Sequence, residues 1–210
     1  VRSLIWIPEL KHYYTPPSYY KEFKNFKGVF FNAPRVNHHG VYVMKAKYIR
    51  PGTRDLSGFY DPYHVIEFYR YFRFLPDGLV ISCLSVNKLK AEKIVEIFSA
   101  EADQSNPFDE DSNKNNYLKS LLYGEYIIQK NIIHVRVVSK TTIYEFELEI
   151  DSTIPGLFDT LKLLSQTMRT VGSETSTPLA NDFRGSKTFK FVKVKELLND
   201  IHKDIAVISI

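Results

Sequence analysis

One cysteine, Cys83, stands in the whole chain. A single thiol excludes an intrachain disulfide and a cysteine-rich zinc site, and points to a reducing, intracellular compartment, cytoplasmic or nuclear. Inside the apolar run LVISCLSV it reads as a small buried hydrophobe. No apolar run reaches the roughly 18 residues that a membrane span needs. An excess of one charge is also missing: 28 basic residues face 24 acidic ones, for a net +4. Dedicated DNA binders gather far more positive charge in one patch, so no nucleic-acid partner is expected. There is no Gly-x-Ser-x-Gly elbow and no phosphate-cradling glycine loop. His38 and His39 are adjacent, so their side chains diverge. His12, His64, His134 and His202 fall on separate elements without ligand spacing. No catalytic residue, metal or cofactor is therefore expected. The chain opens at Val1 without Met, the expected look of a fragment.

What the sequence has in quantity is Tyr and Phe, which carry most of its 14% aromatic content. Flat rings favour pleated, half-buried surfaces. A length of 210 residues allows one large domain, or one with a small appendage. Residues 1–34 read as an aromatic helical arm. Ser18 can cap a short helix in which Tyr19, Phe23 and Phe26 share a face.

From Gly40 the hydrophobic period becomes two. GVYVMKAKYIRPG predicts a strand ended by Pro51 and Gly52. In HVIEFYRYFRF, His64, Ile66, Phe68, Arg70, Phe72 and Phe74 share one face. Val65, Glu67, Tyr69, Tyr71 and Arg73 share the other. Pro76-Asp77-Gly78 is the turn to a returning strand. KLKAEKIVEIF predicts a short helix, and the acidic stretch 99–116 a flexible insertion. Three strands follow over 124–150, with Tyr144, Phe146, Leu148 and Ile150 inward and Glu145, Glu147 and Glu149 solvated. The stretch 157–171 reads equally as helix or strand. SKTFKFVKV predicts another strand, and KELLNDIHKDI a closing helix. The predicted fold is mainly β: an antiparallel meander closed into a lipocalin-like barrel over 35–210, with the helical arm and short flanking helices.

Rings on both faces of FYRYFRF mean that at least one face is core. Phe68, Phe72 and Phe74 suit it, and Arg70 among them calls for a carboxylate or carbonyl partner. Glu67 opposes phosphate binding on the other face, so a single-strand nucleic-acid platform ranks below a protein-binding face. Tyr and Arg are the residue types that dominate such faces. Asn106-Pro107-Phe108 resembles the short turn peptide of EH-domain ligands, a match short enough to arise by chance.

Longer-range order carries a resemblance. Pro34-Arg35-Val36, Gly40-Val41-Tyr42, Tyr48-Ile49-Arg50, Gly58-Phe59-Tyr60, Glu67 through Tyr71, Arg73-Phe74 and Pro76-Asp77-Gly78 occur in the order and spacing of one family. They resemble the C-terminal region of the F-box-only protein nine family, including its fungal relatives. LLYGEYII resembles that family's next strand, with its Gly-x-Tyr. Tyr63 and the acidic insertion depart from the pattern. The resemblance implies a non-catalytic substrate receptor of an SCF-type ubiquitin ligase. Its partners would be client proteins, together with Skp1 and cullin gripped through an F-box missing from this chain. The contact residues expected on that basis are Arg50, Phe59, Tyr60, Tyr69, Tyr71 and Arg73, with Arg35 and Glu67 as an alternative internal ion pair. The competing expectation is a small-ligand carrier, which needs an open barrel cavity of several hundred Å³.

Overall fold

The computed structural model describes residues 26–52, 63–99, 121–173, 175–178, 187–194 and 197. Helix α1 (Phe26–Asn32) leads into β1 (Gly40–Pro51), β2 (Tyr63–Phe74) and β3 (Leu79–Ser85). Helix α2 (Ala91–Ser99) follows, then β4 (Leu121–Gln129), β5 (Ile132–Val138) and β6 (Thr142–Asp151). The last strands are β7 (Thr160–Thr170), the two-residue β8 (Thr177–Pro178) and β9 (Thr188–Lys193). Strands β1 to β7 pair in sequence order, all antiparallel. Strand β9 then bridges β7 to β1, closing an eight-stranded barrel with β8 as a flap on β7. Closure removes the free edges that an open meander would expose.

The helical arm and the contact residues Phe59 and Tyr60 lie outside the described residues, apart from α1 onward. So do the acidic insertion beyond Ser99 and the closing helix apart from Leu197.

The barrel interior is built from alternate residues. Tyr42, Phe72, Phe74, Tyr126, Phe146 and Phe189 are all buried in one cluster. Phe72 meets Phe146 and Phe189, each at 5.2 Å between ring centroids. Phe74 meets Tyr126 edge-on at 4.9 Å. Such tilted contacts add to the burial term, which is about 2–3 kcal/mol for each fully buried large side chain.

The turn between β2 and β3 uses Gly78 at φ 90°, where a side chain would be strained. Gly124 serves a different need. A Cβ there would sit 1.9 Å from the carbonyl oxygen of Arg136 on β5. The glycine lets β4 press against β5 as the wall curves.

The ambiguous stretch resolves as strand β7, and a bulge explains the ambiguity. Glu147 pairs with Ser165 but Leu148 pairs with Leu163, so Leu164 is the extra residue. Inward positions run Leu161, Leu163, Gln166, then Met168. The helix-like spacing of Leu157, Leu161, Leu164 and Met168 mixes this inward set with Leu157 and the bulged Leu164, both exposed.

One end of the barrel is closed. Arg35 lies 4.4 Å from the Phe158 ring centroid and donates to Gly156 O at 3.0 Å. Asn37 Nδ2 donates to Leu157 O and Phe158 O. The Tyr42 hydroxyl donates to Phe158 O at 2.7 Å and accepts from Asn37 N. Beside them, the buried His38 has Nδ1 3.1 Å from Phe74 O. Arg35 is thus engaged at this end, and the alternative Arg35–Glu67 ion pair does not form.

Candidate protein-interaction surface

Of the expected contact residues, the outward face of β1 and β2 holds Tyr69, Tyr71 and Arg73, and the structure divides that face in two. Near Gly40 the face is covered. Helix α2 places Ile94, Ile97 and Phe98 on Val41, Tyr71, Ile81 and Cys83, forming a second buried cluster outside the barrel. Tyr71 is 1% exposed and Arg73 4% exposed. The Tyr71 hydroxyl accepts a hydrogen bond from Leu89 N at 2.8 Å, just before the helix. Arg73 Nη1 donates to Phe98 O at 2.6 Å, in the helix's last turn, where a cation also suits the helix dipole. These two residues clamp both ends of α2. A helix occupies the face they point to, so both of these expected contact residues are buried.

Farther along, the face opens. Lys45 and Lys47 hold the Glu67 carboxylate at 2.7 and 2.5 Å. The two ammonium groups pull its pKa from 4.5 down to about 2. Tyr69 is half-buried beside them, its ring centroid 5.8 Å from Lys45 Nζ. Beyond this clamp, Ile49 pairs with Val65, and Pro51 with Tyr63. Tyr63 is 69% exposed, Val65 62% and Ile49 38%. Among the described residues, β9 pairs with β1 only over Gly40–Val43, and β3 with β2 only from Tyr69 onward. The apolar residues therefore sit at the far end of a two-stranded ribbon that outruns its neighbours. Arg50 lies on this ribbon by its backbone, with its side chain outside the described residues.

Sequence reasoning missed Ile49, Tyr63 and Val65. Their signal was strand parity: Ile49 shares its face with Lys45 and Lys47, and Val65 shares its face with Glu67.

The opposite wall offers a different surface. A depression of about 400 Å³ lies on the outer face of β4 to β7. It is crossed by the register row Glu125, Arg136 and Glu145, and by the neighbouring row His134, Glu147 and Ser165. Arg136 lies 3.6 Å from Glu125, and Ser165 Oγ donates to Glu147 at 2.9 Å. Glu145, Glu147 and Glu149 face outward, as expected. The charges alternate and compensate, so this wall is no phosphate track. The depression lies outside the barrel, whose centre is filled with rings, so it is not the cavity a carrier would use. Among the described residues, no three of His, Cys, Asp or Glu converge as metal ligands. No described helix is long and apolar enough to cross a membrane.

The geometry defines a closed antiparallel barrel with a helix locked to its wall and an exposed apolar ribbon end. Residues 18–199 match the family described as F-box only protein C-terminal region, and the chain belongs to that family. It is similar to F-box protein HRT3 of Saccharomyces cerevisiae, 27% identical over 167 residues, which is 77% of this chain and 43% of that protein. It is also similar to F-box protein pof7 of Schizosaccharomyces pombe, 37% identical over 65 residues, which is 31% of this chain and 18% of that protein. The chain thus spans less than half the length of these curated relatives. No solved structure matches it.

Proposed function

We propose that this region is the client-receiving domain of an F-box substrate receptor in an SCF-type ubiquitin ligase, acting in the cytoplasm or nucleus without catalytic chemistry of its own. Membership of the F-box only protein C-terminal region family supports the receptor role. The observation that carries the client-binding part is the exposed apolar row of Ile49, Val65 and Tyr63 on a protruding ribbon. Tyrosine and branched aliphatic side chains at such a position supply contact area at small cost in side-chain entropy. The mechanism is positional. Holding a client raises the effective concentration of its lysines near a separate conjugating module, which Skp1 and cullin bring through an F-box elsewhere in the protein.

The test uses the full receptor assembled with Skp1 and cullin. Clients captured by the wild type are offered to the reconstituted ligase beside the double variant Tyr63→Ser/Val65→Ser. The expected result is at least a tenfold drop in client capture and ubiquitination, with Skp1 retained and the melting temperature unchanged. Equal ubiquitination by both proteins would remove the ribbon end from the account.

A further inference from the structure

Among the described residues, the barrel is not equally closed at its two ends. At the end away from Phe158, side chains that turn inward remain partly exposed. Arg70 points inward with Phe72 and Phe74, and its pairing partner across β2 and β3 is Leu84. Leu84 turns to the same inner face as the buried Val80 and Ser82, yet it is 39% exposed. The rim at Leu84 thus meets solvent directly across the strand pair from the buried Arg70. Phe68, Leu122, Tyr144 and Met168, also half-buried, complete an apolar rim.

Beneath that rim lies an unusual polar pair. Arg70 is 7% exposed, and its Nε and Nη1 have no hydrogen-bond acceptor among the described residues. The sequence called for a carboxylate or carbonyl here. What the guanidinium has instead is the Phe146 ring, 4.7 Å from Cζ to centroid. A ring face attracts the charge but leaves the N–H edges unsatisfied, and a buried charge in that condition is costly. Burial lowers the pKa of Arg70 only to about 10, so it stays cationic at neutral pH. Gln166, paired with Phe146 across β6 and β7, is also buried, and its Oε1 has no donor. Turning that amide over presents N–H in place of oxygen. The Arg70 donors and the Gln166 amide thus meet at Phe146, on the inner face that also carries the rim residues.

We propose that this open end of the barrel binds a single carboxylate carried on an apolar body, with Arg70 as counter-ion and Gln166 as second donor. The charge count selects the ligand class. Among the described residues Arg70 is the one buried charged side chain turned into the barrel, so it balances one negative charge, and a phosphate dianion would leave charge uncompensated. The apolar body lies against Leu84, Tyr144 and Met168. The two sources of such a group are a small aliphatic acid and the free C-terminus of an apolar peptide. The site uses the inward face at this end and the ribbon row the outward face of the same strands, so the proposal does not rest on client docking.

The experiment follows the Arg70 Nε–H resonance of the wild-type domain by NMR during titration with four probes. These are decanoate, decanol, an acetylated peptide ending in Leu-Leu with a free C-terminus, and the same peptide as its amide. The expected result is that decanoate or the free-acid peptide moves the resonance, while decanol and the amide bind at least tenfold more weakly. Whichever acid binds tighter names the source. Arg70→Met should keep the fold and lose at least tenfold in affinity for that acid, and Gln166→Leu should lose about threefold. Failure of both acids to move the resonance, equal binding of decanoate and decanol, or undiminished affinity in Arg70→Met would each overturn the proposal.

Discussion

His38 shows how one buried residue couples this barrel to pH. Burial holds its pKa near 4, against an ordinary 6.5, with the carbonyl of Phe74 opposing the shift. The unfolded chain binds a proton at this histidine below pH 6.5, and the folded chain does so only near pH 4. Stability is therefore full above pH 6.5 and falls as pH drops toward 4, by at most about 3 kcal/mol. Glu67 acts in a lower window. Its stabilisation is complete above pH 4.5 and is lost as pH falls toward 2. Urea titrations between pH 7 and 4.5 isolate the histidine, and His38→Gln should flatten the slope there. An unchanged slope would assign the pH dependence elsewhere. The same scale separates packing from recognition on β2. Arg73→Ala removes the donor to Phe98 O and should cost about 2 kcal/mol. Tyr71→Phe leaves Leu89 N without its acceptor and should cost about 1 kcal/mol. Both losses belong in the unfolding free energy. Weaker client capture by either variant would report a loosened helix before it reported a lost contact.

At the scale of elements, helix α2 and strand β4 carry the most specific expectations. The helix stays on the wall through Ile94, Ile97 and Phe98, spaced at i, i+3 and i+4. The pattern was visible in KLKAEKIVEIF, but its destination was not: periodicity tells which face is apolar, not which surface receives it. For β4, Gly124→Ala forces a methyl group against the β5 backbone, where no side chain can turn aside. The expected loss is about 3 kcal/mol by denaturant unfolding, the upper range for overpacking. A cost under about 0.5 kcal/mol would mean that the two strands part easily. The family's Gly-x-Tyr then has a physical reading. Gly124 permits the close approach, and the Tyr126 hydroxyl two residues on donates to Leu75 O at 2.9 Å. On β7, a single bulged leucine changed the face of every later residue. An alternation rule carried through it would place Gln166 and Met168 outside.

For the whole molecule, closure makes the two barrel ends and the outer wall into different environments. The Phe158 end is sealed by hydrogen bonds from Asn37 and Tyr42. The Leu84 end keeps a partly exposed apolar rim over an unsatisfied guanidinium. From that same end the β1–β2 ribbon runs past its described neighbouring strands, with Tyr63 and Val65 exposed on its outward face. A client dockings map by hydrogen exchange on the full receptor complex should therefore protect β1 and β2 beyond Lys47 and Glu67. Protection confined to the β4 to β7 wall would move the docking surface there.

Strand parity, turn positions and the inward phenylalanines followed from the amino-acid order alone, because each depends on neighbours two residues apart and on a water-to-interior difference that the chain itself encodes. The family pattern in residues 34–78 was equally legible. Which outward residues stay outward was decided only by the tertiary structure. Tyr71 and Tyr63 share a face of the same strand, yet one lies under a helix and the other lies in water. Exposure is set by what packs over a face from distant parts of the chain, and no local alternation contains that information.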